Sequence, residues 1–180
     1  MKKGKKRLFI FGLLLVVLLV VGFSLGLAGK KEQEEELPRV GAKAPNFQLT
    51  DLAGQVVELK EIYQKNQLTM VNFWATWCPP CRREIPEFVR FYRDYREQGL
   101  EILAVNTWED SSLEQLRAFV AAAEMEFPVL QDVKDQTADK YWVRAVPTTV
   151  FIDQNGRILE IYMGALTYGQ LQTRLERYLP

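Results

Sequence analysis

The chain contains two cysteines, Cys78 and Cys81, within the segment Trp77-Cys78-Pro79-Pro80-Cys81. A run typical of a buried strand precedes them and a helical pattern follows. The first thiol is therefore expected near the free N–H groups and the positive dipole end of a helix, which favour a thiolate. The second sulfur lies about one turn further along, close enough to attack a mixed disulfide formed at the first. The spacing predicts thiol-disulfide exchange, with Cys78 as the attacking nucleophile and Cys81 as the resolving thiol.

The two residues between the cysteines bear on the direction of that exchange. Pro79 and Pro80 have no N–H group and cannot donate a hydrogen bond to a Cys78 thiolate. We therefore expect only a modestly lowered pKa for Cys78. We also expect a reducing pair, since strongly oxidising pairs are those that stabilise the thiolate.

The composition disfavours several other uses of the cysteines. A structural disulfide is the alternative, but it would close a very short loop and give little stabilisation. The chain has no histidine, which removes Ser-His-Asp and Cys-His catalysis and histidine-ligated zinc. Two thiolates alone cannot complete a zinc or iron-sulfur site, so we predict no metal and no cofactor beyond a Cys78–Cys81 disulfide. With 23 basic and 23 acidic residues and no concentrated basic face, no nucleic-acid partner is expected.

The first part of the chain predicts a membrane anchor. Leu8–Ala28 carries no charged residue, and at about 1.5 Å per residue a helix of this length spans a hydrocarbon core of about 30 Å. We predict an uncleaved transmembrane signal-anchor helix at 8–28; a cleaved signal peptide is the alternative. The basic segment 1–7 stays cytoplasmic by the positive-inside rule. A charged linker at 29–38 and a globular domain at 39–180 then lie outside the cytoplasm, in a single-pass protein of the cell membrane.

Hydrophobic periodicity predicts the elements that position the cysteines. Two short strands around a turn form a β-hairpin, Asn46–Thr50 with Val56–Lys60. Further strands are predicted at Leu68–Trp74, Leu100–Trp108, Phe127–Leu130, Thr148–Asp153 and Ile158–Met163. Helices are predicted at Pro79–Arg96, from a capping box at Ser111-Ser112-Leu113-Glu114 to about Ala123, at Thr137–Val143 and at Thr167–Leu179. Strands that alternate with helices predict an α/β sheet covered on both faces.

Two motifs together resemble the thioredoxin superfamily: Phe73-Trp74-Ala75-Thr76-Trp77-Cys78-Pro79-Pro80-Cys81 and, far downstream, Ala145-Val146-Pro147-Thr148-Thr149. The opening Gly41-Ala42-Lys43-Ala44-Pro45-Asn46-Phe47 and the stretch Phe127-Pro128-Val129-Leu130 narrow the resemblance. With the predicted anchor, they resemble the TlpA/ResA-like membrane-anchored thiol-disulfide oxidoreductases. This resemblance covers the whole predicted domain. It implies a thioredoxin-like fold with an N-terminal β-hairpin and an internal helix-containing insertion at about 109–134.

The resemblance also implies roles for residues near the cysteines. Pro147 is expected to be a cis-proline beside the disulfide, with the backbone of Val146 offered to an extended substrate peptide. Trp77 is expected to form an apolar rim beside the nucleophile, whereas Trp74 is expected in the core.

Two positions depart from the patterns of these families. Asn72 stands where thioredoxins carry a buried acid, and Pro79 stands where ResA-like proteins often have a glutamate. The resemblance offers Glu109 as a substitute acid, which would need a pKa raised by partial burial to accept the proton of Cys81. A solvated loop acid is the equally weighted alternative for Glu109.

The function implied by the resemblance is reduction of disulfides in secreted or membrane-associated proteins, with the Cys-x-x-Cys-His segment of apocytochrome c as the family's usual substrate. A transmembrane thiol electron donor is implied, because a reductant outside the cytoplasm must be re-reduced from within. A disulfide oxidant or isomerase would use the same residues. A thioredoxin-fold metallochaperone is a further alternative, although such proteins use a Cys-x-x-x-Cys pair and a distant histidine, which this chain lacks. A peroxiredoxin function is a weaker alternative, because the Thr-x-x-Cys spacing of peroxiredoxins is absent from this chain.

Overall fold

The computed structural model describes residues 35–179. The predicted cytoplasmic segment 1–7 and anchor helix 8–28 lie outside the described residues, as does most of the predicted linker 29–38. Among the residues that are described, no helix is long and apolar enough to cross a membrane.

Strands and helices alternate along the described part of the chain. The strands are β1 (Gln48–Asp51), β2 (Val56–Glu58), β3 (Leu68–Trp74), β4 (Leu100–Asn106), β5 (Val129–Gln131), β6 (Thr148–Asp153) and β7 (Ile158–Met163). The helices are α1 (Leu59–Lys65), α2 (Pro79–Tyr95), α3 (Leu113–Ala122), α4 (Gln136–Lys140) and α5 (Tyr168–Tyr178), and a 3-10 turn at Arg96–Gln98 follows α2. The predicted α/β class is confirmed.

The strands form one sheet in the order β2-β1-β5-β4-β3-β6-β7. β3, β4 and β5 are parallel, with Trp74 opposite Asn106 and Asn106 opposite Gln131. β6 is antiparallel to β3, and its first residue, Thr148, lies opposite Phe73. The carboxyl ends of β3, β4 and β5 and the amino end of β6 therefore meet at one edge of the sheet. We call it the cysteine edge, because the Cys-x-x-Cys segment follows β3 there.

Two apolar clusters, one on each face of the sheet, hold the helices in place. The side chains of β3 alternate between them: Met70 and Trp74 pack in the cluster with α2 and α5, and Val71 and Phe73 pack in the cluster with α1 and α4. Every residue of β3 is buried, and burial of one large apolar side chain contributes about 1.5–3 kcal/mol. A strand covered on both faces explains why this run is almost continuously apolar.

Strands β3, β6 and β7 have the predicted bounds. The N-terminal hairpin is confirmed, with Leu49 opposite Val57, but its second strand ends early because a helix that was not predicted, α1, follows directly. Leu59, Ile62 and Tyr63 recur at helical spacing, which is the sequence signal for α1. Leu59 and Tyr63 are buried against the sheet.

The predicted bounds of the elements next to the cysteine edge are wrong by a few residues. β4 ends at Asn106 and not at Trp108, because Trp108 has a φ of 50°, which lies outside the β region. α3 begins with a capping box, but its members are Ser112 and Gln115, one residue later than predicted. β5 begins later than predicted, and α4 ends earlier. The predicted helix-containing insertion is confirmed, since α3 lies between β4 and β5.

Candidate active site

Cys78 and Cys81 lie at the junction of β3 and α2 and are joined by a disulfide bond. Cys78 is the N-cap of α2, and Pro79 and Pro80 occupy its first two positions, where a missing N–H costs little. The Cys81 N–H donates to Sγ of Cys78 at 3.2 Å. Cys78 is 2% exposed and Cys81 is fully buried, so Cys78 is the sulfur of the pair that solvent can reach.

The loop before β6 lies against this disulfide. The Val146–Pro147 peptide bond is cis, as the resemblance implied. Sγ of Cys78 lies 3.5 Å from the carbonyl oxygen of Val146, and the Gly164 N–H holds the loop by donating to the Pro147 carbonyl oxygen at 2.9 Å. The structure therefore brings Val146 and Pro147 to the predicted nucleophile.

The two tryptophans of the motif lie in different environments. Trp74 is fully buried, and its ring packs on that of Phe119 with centroids 5.6 Å apart. Trp77 is 48% exposed next to Cys78, and its indole N–H donates to the carbonyl oxygen of Trp108 at 2.6 Å. The predicted placement of Trp74 in the core is confirmed, and Trp77, predicted to form an apolar rim, lies at the surface directly before Cys78.

Glu109 does not have the raised pKa that a proton acceptor for Cys81 needs. Its carboxylate accepts hydrogen bonds from the N–H and hydroxyl of Thr76 at 2.9 and 2.7 Å, from the Asn106 amide at 2.8 Å and from the Ser111 N–H at 3.1 Å. Partial burial raises the pKa of Glu109, but the hydrogen bonds to the ionised form outweigh burial and lower the pKa to about 2. This lowered pKa does not fit the proton-acceptor prediction, whereas the alternative of an ionised loop acid ahead of the next helix agrees with the position of Glu109 before α3. Glu109 is ionised and holds Thr76 in place through two hydrogen bonds.

A different carboxyl group is buried near the disulfide. Glu84 is 2% exposed and lies three residues after Cys81 in α2, so the two side chains share one face of the helix. The Asn72 amide donates to Oε1 of Glu84 at 2.9 Å, and the Leu166 N–H donates to Oε2 at 3.1 Å. Burial raises the pKa of Glu84 more than these hydrogen bonds lower it, giving a pKa of about 7. Near neutral pH this carboxylate can take a proton from a neighbouring thiol.

Glu84 is absent from the sequence-based predictions, although the sequence carries a signal for it. Cys81, Glu84, Ile85 and Phe88 follow helical spacing, so a carboxyl group occupies a position in the apolar stripe of α2. A carboxyl in such a stripe is buried, and burial raises its pKa. The amide of Asn72, at the position where thioredoxins carry an acid, supports the acid that α2 supplies.

Comparison with known proteins agrees with this geometry. The family model described as AhpC/TSA family matches residues 40–161. The chain belongs to the AhpC/TSA family. Within it, thiol-disulfide oxidoreductase ResA of Bacillus subtilis (strain 168) is 35% identical over 182 residues, covering 99% of this chain and 97% of that protein. ResA of Geobacillus kaustophilus (strain HTA426) is 36% identical over 180 residues and covers 100% of both chains. This AhpC/TSA family member is thus a ResA-like thiol-disulfide oxidoreductase.

Solved structures show the same fold as this AhpC/TSA family member. A Chlorobium tepidum protein described as thiol:disulfide interchange protein DsbE matches with a TM-score of 0.70 at 32% identity, covering 79% of this chain and 99% of that chain. StoA of Bacillus subtilis matches with a TM-score of 0.62 at 27% identity, covering 72% of this chain and 95% of that chain. The predicted thioredoxin-like fold is confirmed.

The redox group of this ResA-like oxidoreductase is the Cys78–Cys81 disulfide itself. Within residues 35–179, no three Cys, His, Asp or Glu side chains come together as a metal site. Five of the residues predicted to support the active site lie beside the disulfide or next to it in the chain: Trp77, Pro79, Pro80, Val146 and Pro147.

Proposed function

We propose that this chain is a membrane-anchored, extracytoplasmic reductase of protein disulfides, with oxidised apocytochrome c as its client. The observation that carries the direction of the reaction is the start of α2. There Sγ of Cys78 accepts a hydrogen bond from the Cys81 N–H. The two prolines between the cysteines have no N–H group and donate no hydrogen bond to this sulfur. Few donors leave the thiolate of the reduced enzyme weakly stabilised. A pair with a weakly stabilised thiolate gives its electrons to a client readily.

The proposed reaction proceeds through a mixed disulfide. The Cys78 thiolate of the reduced enzyme bonds to one sulfur of the client disulfide, and the other client sulfur leaves as a thiolate. Glu84 then takes the proton of the Cys81 thiol, and the Cys81 thiolate attacks Sγ of Cys78. The mixed disulfide breaks, the second client thiolate leaves, and the Cys78–Cys81 disulfide forms again. The client gains two electrons, which a thiol donor must return to the enzyme.

An apolar surface around the disulfide supports a protein as client. Five of the eight large apolar side chains that are exposed in the described part of the chain lie where elements end or begin along the cysteine edge, namely Trp77, Leu113, Val133, Trp142 and Met163, whereas Val40, Val56 and Ile161 lie elsewhere. Exposed apolar groups collected on one side of a domain are typical of protein-binding surfaces. The backbone of Val146 beside the sulfur supports a client segment bound in extended form.

The extracytoplasmic location rests on the uncharged segment 8–28 and the basic segment 1–7. The apocytochrome c client and a transmembrane thiol donor rest on the resemblance to TlpA/ResA-like proteins. We expect a membrane-impermeant thiol reagent to label reduced Cys78 on intact cells, and a Cys78→Ser variant, which keeps Cys81, to label far less. Labelling of Cys78 only after lysis would contradict the proposed topology.

The reduction potential of the Cys78–Cys81 pair tests the direction of the reaction. For the full chain in detergent, equilibrated against thiol buffers, we expect about −220 mV or a more negative value. A value near about −120 mV would instead assign the oxidant or isomerase function. A reducing value makes oxidised apocytochrome c the first client to assay, against the same protein with its Cys-x-x-Cys-His histidine replaced.

Two proline variants test the stated cause of that potential. An N-cap side chain accepts hydrogen bonds from the second and third helical residues, so Pro80→Ala restores a donor to Sγ of Cys78, and Pro79→Ala does not. We expect Pro80→Ala to make the pair more oxidising by about 30 mV. Pro79→Ala is the matched control, and an equal shift in both variants would contradict the donor argument.

A further inference from the structure

The carboxylate of Asp135 does not serve the helix that it precedes. Asp135 is the N-cap of α4, where an aspartate normally accepts from the first helical N–H groups, but its side chain makes no capping hydrogen bond. Asp132 takes that role: its two oxygens accept from the Thr137 N–H at 3.1 Å and from the Ala138 N–H at 2.8 Å. The Asp135 carboxylate is therefore not needed to begin its own helix.

Asp135 instead holds the loop that follows β4. Its Oδ1 accepts hydrogen bonds from the Thr107 hydroxyl and from the Trp108 N–H, both at 2.8 Å. Trp108 has a φ of 50°, a left-handed conformation that is unfavourable for a bulky side chain. Two hydrogen bonds to one carboxylate oxygen thus fix a strained turn, and with it the direction of the Trp108 carbonyl group.

That carbonyl group is the acceptor for the active-site tryptophan. The indole N–H of Trp77 donates to it at 2.6 Å, and Trp77 directly precedes Cys78. About half of the Trp77 ring is exposed, so packing alone leaves it more than one staggered position. The hydrogen bond to Trp108 selects one of them.

We propose that Asp135 is a positioning residue of the active site: through Trp108 it fixes the Trp77 indole beside Cys78, where a client passes to reach the sulfur. The proposal requires thiol-disulfide exchange at Cys78 but neither the direction of the reaction nor the identity of the client. Because the link ends at the Trp77 ring, its loss weakens client binding and leaves the reactivity of the sulfur unchanged. We therefore expect loss of the link to raise KM and to leave kcat unchanged.

Asp135→Gly and Asp135→Asn form the matched pair that tests the link. Asp135 has a φ of 57°, a conformation that both glycine and asparagine tolerate. Asp135→Gly removes the acceptor, whereas Asp135→Asn keeps one oxygen, which is enough because both hydrogen bonds end on Oδ1. The chain has four tryptophans, so the ¹⁵N-labelled full chain in detergent gives separate indole N–H resonances, and Trp77→Phe identifies that of Trp77.

We expect Asp135→Gly to move the Trp77 indole resonance and to raise KM for insulin disulfides about fivefold, the equivalent of one net hydrogen bond. Dithiothreitol recycles the enzyme in this assay, and kcat and the rate of Cys78 alkylation should stay within about twofold. Asp135→Asn should match the unsubstituted protein in all four measurements. An unmoved resonance in Asp135→Gly, or an Asp135→Asn variant that behaves like it, would overturn the proposal.

A double substitution separates the link from a general loosening of the domain. If Asp135 acts through the Trp77 indole, adding Asp135→Gly to Trp77→Phe raises KM no further, because the N–H donor is already gone. Additive effects of the two substitutions would overturn the proposal. Should Asp135→Gly not fold, Trp77→Phe alone carries the test, and an unchanged KM in that variant would refute it.

Discussion

Replacing Cys81 with serine is expected to stop turnover and to leave the client covalently attached to Cys78. The serine hydroxyl is not a thiolate and cannot attack the mixed disulfide, so the reaction halts after its first step. The chain has only the two cysteines Cys78 and Cys81, so no other thiol of the chain can replace Cys81. We expect turnover to fall by about a thousandfold or more. Intact-mass measurement after exposure to an oxidised peptide should show the adduct.

The matched control is Cys78→Ser, which keeps the buried Cys81 and removes the thiol that a client can reach. It should lose turnover to the same extent but form no adduct. An adduct in Cys78→Ser and none in Cys81→Ser would reverse the assigned roles of the two cysteines. Adducts in neither variant would remove the mixed-disulfide mechanism altogether.

Replacing Glu84 with glutamine is expected to change both the catalysis and the pH dependence of stability. In the proposed mechanism Glu84 accepts the Cys81 proton, and loss of a positioned base costs about a hundredfold in rate or more. We expect that loss in kcat at pH 7, with the mixed disulfide accumulating. The loss should shrink at alkaline pH, where hydroxide can remove the Cys81 proton in place of Glu84. A constant ratio of the two rates from pH 6 to pH 9 would contradict the role.

The stability of the oxidised protein tests the pKa of Glu84 independently of turnover. The folded-state pKa of about 7 exceeds the ordinary value of 4.5, so the stability from this group is fully present below about pH 4.5 and is lost as the pH rises through 7. The difference between the two pKa values corresponds to about 3 kcal/mol. Glu84→Gln should lack this decline. Urea unfolding of both proteins between pH 4.5 and 8 measures the difference.

Glu101 provides the matched control for Glu84. Burial also raises the pKa of Glu101, but Glu101 lies near the start of β4, at the end of the sheet away from the cysteine edge. Glu101→Gln should therefore alter the pH dependence of stability and leave turnover within about twofold. If Glu101→Gln lowered kcat as much as Glu84→Gln, the rate effect would reflect general destabilisation and not a catalytic base.

The parts of the fold that the sequence predicted are those whose signal is local and apolar. β3 has its predicted bounds because a strand buried on both faces must be almost wholly apolar. α1 was missed because it is short and follows a strand without a break. The end of β4 was misplaced because Trp108 takes a left-handed conformation. The carboxylate of Asp135, a residue far along the chain, supports that conformation by accepting a hydrogen bond from the Trp108 N–H.

In the candidate site, too, the features with a local sequence signal were predictable and those set by three-dimensional surroundings were not. The cysteines and the cis-proline were predictable because short motifs carry them. The roles of the carboxyl groups were not predictable, because the pKa of a carboxyl depends on what surrounds it in three dimensions. Glu109 looked like the buried acid but gained enough hydrogen-bond donors to stay ionised. Glu84 carries no motif of its own, and its raised pKa follows from its burial where α2 covers the sheet.

The burial of Glu84 has opposite effects on catalysis and on the stability of the fold. The ionised carboxylate is the form that can accept a proton, and it is also the form that the surrounding apolar side chains tolerate least. An apolar residue at this position would suit the core better and the chemistry worse, which is the usual pattern where an active site is built into a core. The contribution of Glu84 to stability is therefore greatest in acid, where the carboxyl cannot accept a proton, and most of that contribution has been lost at the pH at which Glu84 can act as a base.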